Sequence, residues 1–122
     1  MAGKLFLIPN TLGDTKTDIV LPSYVSEVIN TLDHFIVENI RNARRFIIKC
    51  GYSGSIDDIV FFELNKHTQA KDIPSFIEPC KKGTNIGLIS EAGVPAVADP
   101  GNEICKLAHD QNIRVVPLSG PS

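Results

Sequence analysis

The sequence has no apolar run approaching the roughly 18 residues that a membrane-spanning helix needs. Residues 1–3 lead into a short run of strand length rather than a signal-peptide core. A soluble, unexported, cytoplasmic protein is therefore expected. Cysteine is scarce: Cys50, Cys80 and Cys105 are odd in number and far apart, which argues against a disulfide framework and for reduced thiols in a core or a helix. Neither sign of charge dominates, with 12 basic residues against 14 acidic, so net charge recruits no polyanion and any nucleic-acid contact has to be a local patch. No cluster of His, Cys, Asp or Glu has metal-ligand spacing, and no metal is expected. Repeats, low-complexity tracts and linkers are also missing.

What is present is alternation. The 122 residues, 43% of them hydrophobic, suffice for a single domain with one core. Apolar runs of strand length alternate with segments of helical period, which is the signal of a parallel sheet covered by helices. Strands are expected at residues 4–8 (KLFLI, halted by Pro9), 34–38 (HFIVE), 59–64 (IVFFEL), 85–89 and 113–117 (IRVVP). Helices are expected at 21–32, where Val25, Val28, Ile29 and Leu32 share a face, and at 40–50, capped by Asn39 and ended by Gly51. Two more are expected, a short one at 73–80 interrupted by Pro79 and one at 100–111, while 52–58 reads as a surface loop. The fold class is α/β, an open, mostly parallel five-stranded sheet with helices on both faces. Because the chain stops after a strand with no helix following, an excised or truncated domain is expected, with a natural short protein as the alternative.

In an open α/β sheet, ligands bind beyond the carboxyl ends of the strands, so the loops after Ile8, Glu38, Ile89 and Pro117 are the informative ones. The third is SEAGVPAVADPG, residues 90–101. Ala92 and Gly93 carry no bulk to keep a ligand off the backbone, and Pro95 restrains the path. A binding loop and a tight structural connection are both compatible with that composition.

This run, followed by VVPLSGPS at residues 115–122, resembles the tetrapyrrole methylase superfamily, and within it most closely the small-subunit rRNA cytidine 2′-O-methyltransferases. LFLIPNTLGD (5–14), VENIR (37–41) and LNKHT (64–68) resemble further segments of that group, so the resemblance spans the chain. It implies the N-terminal half of a two-domain, homodimeric enzyme that uses S-adenosylmethionine, with rRNA as substrate and the C-terminal domain missing from these residues. It further implies cofactor contacts from Leu12, Val94, Val97 and Ser122, in a pocket shaped by Pro9, Ala92, Gly93 and Pro95. Where many relatives have a carboxylate this chain has Val94. Asn39 and Ile40 replace the acidic and hydroxyl residues of the group's Glu-Asp-Thr-Arg segment.

Methyl transfer to a ribose hydroxyl needs in-line approach and partial removal of the hydroxyl proton. Glu38 or Glu91 could accept that proton, and Arg41 could hold a phosphate or the base carboxylate with its planar fork. Each has a plain alternative as a helix cap, a solvated carboxylate or a surface ion pair. His67 lies in a family-like segment, whereas His34 and His109 have nothing beside them to suggest chemistry. Arg41, Arg44, Arg45 and Lys49 recur at helical spacing, as an RNA-contacting face or a solvated one. Lys81-Lys82 beside Gly83 reads as a turn. Two other functions are open: a non-catalytic binding or assembly module on the same fold, and methylation of a small tetrapyrrole.

Overall fold

A computed structural model of the protein describes residues 2–9, 23–90 and 99–118, with the backbone alone for 99–101. The five expected strands form as β1 (Lys4–Pro9), β2 (His34–Val37), β3 (Val60–Glu63), β4 (Ile86–Ser90) and β5 (Arg114–Pro117). They make one sheet in the order β3-β2-β4-β1-β5, parallel throughout.

The helices are α1 (Ser23–Asn30), α2 (Ile40–Lys49), α3 (Ile73–Phe76), α4 (Glu78–Lys81) and α5 (Asp99–Asp110). The expected helix at 73–80 is divided, because Pro79 has no N–H for the Ser75 carbonyl and its ring crowds that carbonyl. The break falls at Ile77, and Pro79 sits in the first turn of α4. The expected loop at 52–58 closes with a 3-10 turn, Ile56–Asp58, and a second such turn, Ala70–Asp72, runs into α3.

Local chemistry sets the helix ends. Asn39 is extended, and its side-chain oxygen accepts from the Asn42 amide at 2.9 Å, the expected cap of α2. At the other end Gly51 adopts φ +80°, the Gly51 amide reaches Ile48 O and the Tyr52 amide reaches Ile47 O. That pair of bonds is a Schellman ending. The same pattern ends α4 at Gly83 and α5 at Asn112, whose φ of 60° an asparagine tolerates. Each ending turns the chain sharply back toward the sheet.

Strand order decides which face each helix covers. A parallel crossover is right-handed, so connections that step in opposite directions along the sheet put their helices on opposite faces. From β1 to β2 to β3 the chain steps one way, and Val25, Ile29, Ala43, Phe46 and Ile47 of α1 and α2 pack with Ile8, Phe35, Val37 and Ile89. From β3 through β4 to β5 it steps back. Residues of α3, α4 and α5, among them Ile73, Cys80, Ile104 and Ala108, pack on Leu5, Leu7, Ile36 and Leu88. Successive residues of one strand thus feed two separate cores, as a strand covered on both sides must.

Cys80 lies in the second of these cores with its thiol 3.4 Å from the Lys4 carbonyl. Burial pushes that thiol from its ordinary 9.0 up to about 11, against a smaller lowering by the Ile86 backbone. All three cysteines are free, and burial raises Cys50 and Cys105 as well. A thiol with a folded pKa above its unfolded one favours the fold fully below pH 9 and loses that advantage as the pH climbs to about 11. Urea unfolding should therefore show Cys80 removing roughly 2–3 kcal/mol of stability across that window. Cys80→Ala, itself less stable at neutral pH, should lack this part of the decline; parallel curves for the two proteins would disprove it.

Candidate ligand site at the carboxyl edge of the sheet

The reversal of chain direction along the sheet falls between β1 and β4, whose crossovers depart to opposite sides. An open α/β sheet accepts ligands at such a switch point, outside the carboxyl ends of the two strands. Pro9 ends β1 and Ser90 ends β4, and the two are register partners. The segments that follow them are 10–22 and 91–98.

One row of residues crosses this edge. Val37 of β2 pairs with Ile89, and Ile89 with Ile8; one residue further on Ser90 pairs with Pro9, and Glu38 follows Val37 just past the end of β2. Pro9 is buried, Ser90 is 6% exposed and Glu38 is half-buried. The middle of the row is therefore uncharged, with a buried hydroxyl, and the carboxylate stands to one side.

Hydrogen bonds fix that side. Glu63, the last residue of β3, accepts from the Ile40 amide through Oε2 at 3.1 Å, so two side chains, Asn39 and Glu63, satisfy the start of α2. Asn65 donates to the Glu38 carbonyl at 3.0 Å, and its own amide donates to Thr68 Oγ1 at 2.9 Å. Thr68 in turn donates to the Glu63 carbonyl, and the His67 amide donates to Asn65 Oδ1. The LNKHT segment thus works as a brace behind Glu38, held by Asn65 and Thr68 rather than by histidine chemistry.

Of the residues read as functional, the structure brings Pro9 and Glu38 to this edge and puts Arg41 in the first turn of α2, with its side chain exposed. Leu12, Glu91, Ala92, Gly93, Val94, Pro95, Val97 and Ser122 lie outside the described residues. His67 and His109 are exposed; His34 Nδ1 lies 2.7 Å from Asp33 Oδ1, at the opposite end of β2 from Glu38. Among the described residues no three His, Cys, Asp or Glu side chains are grouped to hold a metal, and no helix is long and apolar enough to cross a membrane. Ser90, Glu63 and Asn65 were not singled out by sequence reasoning. Ser90 was read as the first loop residue, and only the register shows that it completes β4.

The strand order and this edge define an open, doubly wound α/β fold with a candidate ligand site at the β1/β4 switch point. No protein-family model matches the chain. Curated relatives do: it is 29% identical over 119 residues to "Ribosomal RNA small subunit methyltransferase I" of Escherichia coli O157:H7, covering 98% of this chain and 39% of that protein. The protein of the same name from Buchnera aphidicola subsp. Acyrthosiphon pisum is 30% identical over 118 residues, covering 97% of this chain and 39% of its own length. The one from Leptospira biflexa is 27% identical, with 98% and 47% covered. Over nearly its whole length the chain is thus similar to proteins named as small-subunit rRNA methyltransferases. It spans about two fifths of the length of the curated relatives it matches.

Proposed function

We propose that the full-length protein is an S-adenosylmethionine-dependent methyltransferase acting on a ribose 2′-hydroxyl of small-subunit rRNA in the cytoplasm. These residues form its N-terminal domain, a second α/β domain completes the cofactor cleft, and the enzyme is a homodimer. The observation that carries this reading is the row Glu38–Ser90–Pro9 at the switch point, in a chain whose relatives are named as rRNA methyltransferases.

The uncharged middle of the row suits the nucleoside part of the cofactor, which brings an electrophilic methyl group when bound. Pro9, with Leu12, Ala92, Gly93, Val94, Pro95, Val97 and Ser122 from the flanking segments, would hold it. Glu38 takes the proton of the attacking hydroxyl, and Arg41 holds a substrate phosphate or the carboxylate of the base. Glu91 follows β4 directly and is the second candidate for the proton.

Isothermal titration of S-adenosylhomocysteine tests the split cleft. The 122 residues alone should bind weakly and turn over no rRNA, while a protein of the relatives' full length should bind tightly and methylate isolated small subunits. Turnover by the 122 residues alone would refute the two-domain cleft. Absence of binding by both forms would move the reading to a non-catalytic module.

A further inference from the structure

The charge of this chain is unevenly placed. Helix α2, IRNARRFIIK, holds four of the 12 basic residues and no acidic one, in a protein whose net charge is −2. Its apolar side, Ala43, Phe46 and Ile47, is buried against the sheet. Arg41, Arg44, Arg45, Ile48 and Lys49 are all exposed, at the i, i+3, i+4, i+7, i+8 spacing of one outward stripe. The ion pairs His34–Asp33 and Lys81–Glu78 lie elsewhere. Arg44 instead lies over the Phe61 ring of edge strand β3, with its guanidinium carbon 5.8 Å from the centroid. A guanidinium stacked this way keeps its N–H edge free for an anion while losing rotamer freedom in advance.

The stripe also has a direction. α2 starts at the carboxyl edge of the sheet beside Glu38, so Arg41 stands at the candidate site, and Lys49 is about 12 Å further along the helix axis. A membrane surface does not fit, because the apolar face that would enter lipid is already spent on the core. We propose that the outer face of α2 is a phosphate track that binds a single strand of the substrate RNA as it leaves the site, with Arg44, Arg45 and Lys49 each meeting the backbone. The identity of the strand as substrate rests on the methyltransferase reading; the track itself does not.

The test is fluorescence anisotropy of the full-length protein with a labelled, unstructured 20-nucleotide RNA between 50 and 200 mM salt. Arg44→Gln/Arg45→Gln/Lys49→Gln should bind at least about tenfold more weakly and lower the salt slope by about 2, at roughly 0.7 per lost phosphate contact. Lys81→Gln/Lys82→Gln, on the other face of the sheet, should change neither. The three substituted side chains are exposed, and an unchanged melting temperature shows that the fold is kept. The proposal is overturned if the triple variant keeps wild-type affinity and slope, if the wild-type protein binds no RNA at 50 mM salt, or if polyglutamate displaces the RNA as well as unlabelled RNA does. A weakened triple variant in a protein that fails to bind S-adenosylhomocysteine would uphold the track and sink the methyltransferase reading.

Discussion

Replacing Glu38 with glutamine should slow methyl transfer by the full-length protein about 10²–10⁴-fold, the range over which a positioned general base contributes. Glutamine keeps the size and much of the hydrogen bonding of the side chain and cannot take a proton. Glu38 is the carboxylate in the row that crosses the switch point, and Asn65 fixes its backbone from behind at 3.0 Å. Affinity for S-adenosylhomocysteine should therefore stay within about twofold, since the loss is confined to the step in which the hydroxyl proton leaves. Single-turnover rates on isolated small subunits would measure the effect. Near-wild-type turnover would remove Glu38 from the chemistry and leave Glu91 as the carboxylate to change next.

The second large effect is on stability. Phe35→Ala should cost about 3–5 kcal/mol, read as a shift in the urea midpoint. Phe35 is fully buried, stacks on Phe61 of β3 with centroids 6.2 Å apart, and pairs in register with Gly87 of β4. A side chain at Gly87 would meet the Phe35, Ile8 and Leu32 tips at 2.7–3.0 Å, so the ring occupies space that the glycine leaves. With no side chain at Gly87 on the β4 side to move in, the cavity left by alanine can shrink little. A loss below about 1 kcal/mol would mean that the core closes around the gap, contrary to this packing.

Much of the architecture was legible in the sequence because this sheet is covered on both faces. Each strand is then a compact apolar run, and KLFLI, HFIV and VFFE stand out from their surroundings. Helix ends were equally plain where one residue decides them, as Asn39 and Gly51 do for α2. The order of the strands was not legible. Nothing in the spacing of β1 and β4 says that they are neighbours, and the switch point exists only once they are. The division of 73–80 at Ile77 was half-legible, since Pro79 signals an interruption but not that the chain restarts as a helix around it. Glu63 went unread for a different reason. A glutamate ending a strand looks like a solvated terminus, and its bond to the Ile40 amide depends on a register no local pattern encodes. Of the site loops, residues 10–22 and 91–98 lie outside the described residues, so there the motif reading stands on sequence alone.

The place of β1 inside the sheet, between β4 and β5, has a consequence for how the chain acquires its structure. Its two neighbours, β4 and β5, come from residues 86–90 and 114–117, so β1, synthesised before the other four strands, is among the last to find its partners. Until then a run such as LFLI offers two unpaired edges, the condition that favours wrong pairing between chains. Contacts of such long sequence separation also close slowly. Synthesis of this domain therefore passes through an interval in which β1 has left the ribosome with its edges unpaired, and that interval closes only when β5 emerges.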